Sequence, residues 1–326
     1  MSTFPDGLFQ YGGAPVGLGS FFPALRKDAK IYFVDPANGN DNNSGLKPEE
    51  AMDTVAAAYA KTVNKQGDIV FLLGDGSTTG TARDVAIVWS NSNTHLIGVT
   101  APARNKRARI APATTGTVDV DAYTPYITLS GSGCVFANFS LSQGQSEAKA
   151  SVGILISGNQ NYLYNVDILT GTHDAQGDLA CFALQFTGSE NVVDNCMIGA
   201  DTYSRGGTAS ANVKFGGSRN TIKDSILPMY ADVNDALFVL AEASCGDRWH
   251  LMERCVCVNS STVLTAAITL TQGITWSNTA GCMLLIKDSA FYGCTDITAA
   301  DSTKVVFSGA ALPLADAGKF LGIDVA

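Results

Sequence analysis

Ile127-Thr128-Leu129-Ser130-Gly131, followed by Phe136-Ala137-Asn138-Phe139, is the stretch whose reading decides the fold, because the same pair keeps returning downstream. It returns as Leu155-Ile156-Ser157-Gly158 with Leu163-Tyr164-Asn165-Val166, and as Leu184-Gln185-Phe186-Thr187-Gly188 with Val193-Asp194-Asn195-Cys196. A further copy is Val213-Lys214-Phe215-Gly216-Gly217 with Ile222-Lys223-Asp224-Ser225. Two looser copies end in Met252-Glu253-Arg254-Cys255 and Ile286-Lys287-Asp288-Ser289. The slot after each second apolar run falls at 138, 165, 195, 224, 254 and 288, with gaps of 27, 30, 29, 30 and 34 residues. A period of this size marks a solenoid or an array of like units. Each half-unit alternates apolar and polar residues, is rich in Val, Ile, Phe and Thr, and is punctuated by Gly, Asn, Asp and Ser. That is strand, turn, strand. No helical periodicity fills the gaps, which argues against leucine-rich, ankyrin and helical repeats. The expectation is an all-β chain wound as a right-handed parallel β-helix, each coil burying its apolar face on its neighbours. Asn138, Asn165, Asn195, Asp224 and Asp288 suit the repeated turn, since Asn and Asp tolerate left-handed backbone and bond turn backbone.

Working outward, residues 1–29 read as an extended arm, rich in Gly and Pro and carrying Phe4, Phe9, Tyr11, Phe21 and Phe22. Disordered tails are poor in aromatics. The arm is therefore expected either to dock on its own coil, a sister subunit or a larger assembly, or to cap the first coil. Residues 30–309 form the coil, and 310–326 a terminal cap or tail. Ile31 to Val34 is a strand, and the Asn-rich stretch from Pro36 to Gly45 is a turn whose spacing fails the calcium-loop pattern. Pro48 to Asn64 reads as one helix with acids at its start and a stripe of Ala51, Val55, Ala58, Tyr59 and Val63, lidding the mouth of the coil. The Gly-rich run from Gly74 to Thr81 lacks the lysine of a phosphate loop. The basic run of Arg104, Lys106 and Arg107 is either a patch for an acidic partner or a solvated turn.

The 326 residues are ample for a large core, and a solenoid's core grows along its axis rather than splitting into domains. A net charge of −9 argues against a general binder of nucleic acid or anionic membrane. No apolar run reaches transmembrane length, and the first residues lack a signal-peptide pattern, which leads to an expectation of assembly in a cytoplasm. The eight cysteines contain no Cys-x-x-Cys, and Cys196 and Cys255 occupy slots filled elsewhere by Phe139 and Val166. They are read as buried free thiols, with neither metal nor disulfide.

Three stretches carry a family resemblance: Phe4-Pro5-Asp6-Gly7-Leu8-Phe9-Gln10, Tyr32-Phe33-Val34-Asp35-Pro36-Ala37-Asn38-Gly39-Asn40-Asp41, and Trp89-Ser90-Asn91-Ser92-Asn93-Thr94-His95-Leu96-Ile97-Gly98. The middle one resembles the opening segment of right-handed parallel β-helix proteins of the pectate-lyase-like group. All three in order resemble β-helix proteins of tailed bacteriophages, encoded near the major capsid protein. The resemblance implies fold and a virion setting, and brings no catalytic residues with it.

Chemistry is thinly marked. Glycoside hydrolysis needs two carboxylates flanking a groove, and the acids on offer are Asp174, Asp178, Asp201, Asp232, Asp235 and Glu242, in loops one coil apart. His173 is the only histidine beside an acid; His95 and His250 sit in strand-like runs. No Gly-x-Ser-x-Gly elbow is present. Tyr123, Tyr126, Tyr203 and Tyr230 form no obvious sugar ladder. The expectation is thus a structural virion component: a capsid decoration or cement protein on the capsid surface. It would bind the major capsid protein or other virion proteins as a homo-oligomer, with a trimer favoured. No catalytic residue, metal, cofactor, nucleic acid or membrane is expected. The alternative is a tail-associated receptor-binding protein or polysaccharide depolymerase.

Overall fold

The computed structural model describes residues 28–309 except 77–79, 113–124, 143–151, 171–180, 203–204, 207–209, 242–244, 247, 264–267, 277–280 and 299–302. It also describes the backbone of a short antiparallel pair, Gln10–Tyr11 with Ala14–Pro15. The side chains of Phe4, Phe9, Tyr11, Phe21 and Phe22, and the tail from 310, lie outside the described residues.

The coil has three parallel sheets. The first has ten strands, from Ile31–Val34 through Val135–Ala137, Tyr162–Tyr164, Val192–Asp194, Thr221–Lys223, Trp249–Glu253 and Met283–Lys287 to Val305–Ser308. The second has eight, from Thr81–Asp84 to Ala290–Tyr292, and the third eight, from Ile87–Trp89 to Cys294–Thr298. Each coil visits first, second and third sheet in turn, so every strand except those at the sheet ends pairs with its equivalents one coil before and one coil after. A right-handed parallel β-helix is what the repeat requires, because a single coil has no second layer to bury against.

The six repeat slots stand in one column at the corner from first to second sheet. All are left-handed, with φ of 57° at Asn138, 53° at Asn165, 52° at Asn195, 51° at Asp224, 49° at Arg254 and 48° at Asp288. Their amides run coil to coil: Asn138 N–H donates to Tyr164 O (3.0 Å), Asn165 N–H to Asp194 O (3.0 Å), and Asp224 N–H to Glu253 O (3.0 Å). The repeated Gly after the third sheet has a steric cause. A Cβ on Gly158 would lie 1.9 Å from Gly131 O, and one on Gly188 1.9 Å from Gly158 O. Successive coils touch there through bare backbone.

Inward side chains fill the bore. Trp89, Phe136, Phe139, Phe186, Phe215, Phe238 and Phe291 are all buried. Equivalent rings stack between coils, Phe186 on Phe215 at 5.2 Å and 16°. All eight cysteines are buried and unbridged. Burial pushes the thiols of Cys196, Cys255 and Cys294 up to about 12.

The single helix expected over 48–64 is instead a 3₁₀ turn at Pro48–Glu50 and a six-residue helix at Val55–Ala60. The break lies at Met52, which bridges to Val34 and takes up a sheet position. Asp41 then accepts the N–H groups of Asp53 and Thr54, both at 2.9 Å. The short helix restarts on Thr54, whose hydroxyl accepts from Ala57 N–H. Buried Asp84 accepts the free amides of Val55 (3.1 Å) and Ala56 (2.8 Å). Four unsatisfied amides at a helix start need such partners.

Candidate functional site

Lines of side chains run from coil to coil both inside and outside the bore. Inside, at the corner from third to first sheet, Asn161 Oδ1 accepts Cys134 N–H (2.8 Å). Asn191 Oδ1 accepts Asn161 N–H (2.9 Å), and Asn220 Oδ1 accepts Asn191 N–H (3.0 Å). His250 Nδ1 ends the line by accepting Asn220 N–H (3.2 Å). The amide nitrogens are used too, with Nδ2 of Asn161, Asn191 and Asn220 donating to Gly131 O, Gly158 O and Gly188 O. All four side chains are buried. This ladder was readable as Asn recurring three residues after Gly158, Gly188 and Gly217, beside the slot column that draws the eye first.

The outer face of the third sheet carries the second line. By strand register, Val88, Thr128, Leu155, Gln185, Lys214, Leu240 and Thr275 align in one column. At about 4.8 Å per coil the seven rows span roughly 30 Å. Lys214 Nζ lies 4.7 Å over the ring of Phe182. The sequence insertions fall in the connections from second to third sheet. One of them, between Met197–Ile198 and Ala211–Phe215, contains Arg205. Its backbone bridges to Ala231. It is 2% exposed, and its Nη1 has no hydrogen-bond partner among the described residues. A buried guanidinium atom left without an acceptor is costly, and a carboxylate is its natural complement. Asp201, Asp232 and Asp235 are exposed on the same side.

The other residues singled out fall elsewhere. Lys106 is buried, its Nζ 3.0 Å from Oδ2 of fully buried Asp167. Asp167 also accepts Asn105 N–H (2.7 Å) and Ser140 Oγ–H (3.0 Å). Burial lowers the Lys106 ammonium from its ordinary value, and Asp167 opposes this. Arg104 Nη1 reaches Asp167 Oδ1 (3.4 Å) and Asn195 O (3.2 Å), while Arg107 is half-buried. Two cations of the basic run are thus engaged within the chain. His95 is buried, with Nδ1 accepting Val135 N–H (3.1 Å). Tyr126 is buried and donates to Asp84 O (3.2 Å), so it is no surface platform; Tyr230 is half-buried. His173, Asp174, Asp178, Glu242, Tyr123 and Tyr203 lie outside the described residues.

On the outer face of the first sheet, Asp194, Lys223, Glu253 and Lys287 align in register. Asp194 pairs with Lys223 (3.0 Å) and Glu253 with Lys287 (2.7 Å). The Lys287 hydrogen bond holds Glu253 below the usual carboxylate range. The Arg254 fork does the same for Asp224. Carboxylates so held are poor proton donors, which general-acid catalysis requires.

No protein-family model matches the sequence. No characterised protein matches it by sequence. Solved structures do match in fold. The pectate lyase Pel9A superposes with a TM-score of 0.55 at 16% identity, over 83% of this chain and 65% of its own. A pectin methylesterase from Aspergillus niger gives 0.55 at 12% over 92% of this chain and 89% of its own. The pectin methylesterase PemA from Erwinia chrysanthemi gives 0.56 at 11% over 91% and 92%. The chain spans just under two thirds of the pectate lyase. At these identities the likeness is one of fold, the pectate-lyase-like right-handed parallel β-helix.

These neighbours correct the expectation of a non-enzymatic chain. The named proteins that share its coil are carbohydrate-active enzymes. None of the three is a virion protein, so the capsid expectation gains no support from them.

Proposed function

We propose that the chain is a carbohydrate-active enzyme that acts on an elongated, carboxylate-bearing polysaccharide laid along the outer face of the third sheet. The observation that carries this is the coil from Met197 to Phe215. It sets Lys214 on that face and buries Arg205, with an unpartnered Nη1, in the connection leading to it. The straight seven-row column suits a linear polymer better than a compact ligand. The buried Arg205 Nη1, without an acceptor among the described residues, favours a local acidic partner in a chain of net charge −9. The named neighbours act on pectate and pectin, whose uronate carboxylates fit this chemistry. Lys214 would contact substrate: a cation beside a uronate lowers the cost of abstracting the adjacent proton. Arg205 would hold a neighbouring carboxylate.

The test is a panel of purified polysaccharides: pectate, methyl-esterified pectin, another polyuronate and a neutral glucan. Products are read as unsaturated sugar ends, reducing ends and released methanol. The expected result is product from a uronate-bearing member, with kcat/KM reduced at least about tenfold in Lys214→Met. No product and no retention on any polyuronate would overturn the proposal. Turnover undiminished in the variant would remove Lys214 from it.

A further inference from the structure

Near the far end of the bore, Cys245 Sγ, His250 Nε2 and Cys282 Sγ lie within 4.8 Å of one another, and all three residues are buried. The first candidate role is a metal centre, and the hydrogen bonds speak against it. His250 Nδ1 is already the acceptor of Asn220 N–H. A neutral ring therefore carries its proton on Nε2, the atom a metal would need bare. Metal binding there would demand either an imidazolate or two donors facing each other. The asparagine ladder fixes the tautomer, and the tautomer points an N–H at the two sulfurs.

The rest of the pocket fits that arrangement. His250 Nε2 is 3.5 Å from Cys245 Sγ, and Cys245 Sγ is also 3.5 Å from Phe215 O. Phe215 packs at 4.8 Å and Trp276 at 5.9 Å from the imidazole, closing the site to bulk water. Trp276 Nε1–H donates to Cys282 O (3.1 Å), which pins the second cysteine. The Cys245 thiol and the His250 ring both donate to Cys282, drawing its thiol well below the ordinary value. Cys196 has the backbone N–H of Val166 (3.4 Å) rather than a side-chain donor, and burial moves Cys196, Cys255 and Cys294 the opposite way.

We propose that Cys245 and Cys282 form a reversible disulfide inside the coil, with His250 positioning and stabilising the attacking sulfur. The oxidant must be little larger than water to reach a buried pair, and hydrogen peroxide is the class that qualifies. The Cys282 thiolate attacks one peroxide oxygen; the S–O bond forms, the O–O bond breaks, and hydroxide leaves to become water. Cys245, giving up its proton, attacks the resulting sulfenic acid; the S–S bond forms and the hydroxyl leaves as a second water. Two thiols and one peroxide yield one disulfide and two waters. The bond ties one coil's corner from third to first sheet to the next coil's.

The experiment treats the full-length protein with stoichiometric peroxide and maps peptides by mass spectrometry without reduction. The expected product is a 245–282 cross-link while Cys196 and Cys257 remain free thiols. The melting midpoint should rise, and a dithiol reductant should reverse the rise. In His250→Asn the side-chain oxygen can still take Asn220 N–H, so the ladder is kept, but the Nε2 donor is gone. Cross-linking should then slow about tenfold or more. Oxidation elsewhere with 245 and 282 unlinked would overturn the proposal, as would an unchanged rate in His250→Asn. So would stoichiometric zinc binding by the reduced protein that is lost in Cys282→Ser.

Discussion

The ladder inside the coil and the ladder outside it repeat at the same interval and teach different lessons. Asn161, Asn191, Asn220 and His250 lie within the bore, hydrogen-bonded from coil to coil. Asp194, Lys223, Glu253 and Lys287 lie on the outer face of the first sheet, alternating in charge. The coil supplies both with the same spacing. Burial decides which chemistry each column tolerates. Inside, every donor and acceptor must find a partner in the next coil, because water is excluded. Outside, solvent and ions can stand in for a missing partner.

The comparison predicts its own extremes. Asn191→Leu should be the most damaging change. It leaves Asn161 N–H and Gly158 O without their partners inside the bore. At about 1–3 kcal/mol for each orphaned group, the loss should be about 4 kcal/mol by denaturant unfolding. A loss under about 1 kcal/mol would mean that water enters the bore and that the inner ladder behaves like the outer one.

The buried ion pair is the next test, since it combines charge with burial. Asp167→Ala strands Lys106, whose ammonium is enclosed and has Asp167 as its acceptor. A loss of about 3 kcal/mol is expected, and adding Lys106→Met should recover most of it. A double-mutant cycle reads the coupling directly. If the single substitution is nearly silent, the lysine escapes to solvent and the pair belongs with the outer ladder.

Titration sharpens the contrast within the interior. Asp84 is pushed up to about 6 chiefly by burial, against the hydrogen bonds from Ala56 and Val55. Its contribution is full below the unfolded value near 3.8 and is lost as pH rises through about 6. His95 is pulled down to about 4 by burial, so its contribution is present above 6.5 and lost as pH falls through about 4. The two oppose each other between about pH 4 and 6. Asp84→Asn should therefore lose ground to the parent as pH falls from 7 to 4, by up to about 3 kcal/mol. His95→Gln should be relatively more stable than the parent at pH 4 than at pH 7. Melting midpoints across that range check both signs.

How much of this was legible depends on whether a residue's neighbours lie nearby in sequence. The slot column was legible because Asn138, Asn165 and Asn195 mark the corner by their own backbone preference, a local property. Arg254 in the same column has no such preference, yet its place was readable from spacing alone. The helix was misjudged because Met52 is claimed by Val34, a pairing that no helical stripe can reveal. Lys106 looked like part of a solvated or partner-facing run, because its acceptor stands 61 residues away. The site was less legible than the fold. Lys214 reads as an ordinary outward strand residue, and Arg205 stands in a connection whose length varies between coils, where no repeat marks its burial.

The weakest expected effect lies on the outer ladder. Lys223 is one-third exposed and pairs with Asp194 at 3.0 Å, while Asp194 keeps a second partner in the Tyr162 hydroxyl at 2.5 Å. Lys223→Met should therefore change stability by no more than about 0.5 kcal/mol, and the change should shrink further in high salt. The Tyr162 bond makes the outcome informative. Because that hydroxyl donates to the carboxylate, the charge on Asp194 remains partly satisfied when the lysine goes. A loss of 2 kcal/mol or more, insensitive to salt, would show that the outer column is desolvated. That face would then have to be covered, and the distinction between a dry bore and a wet exterior would fail at this coil.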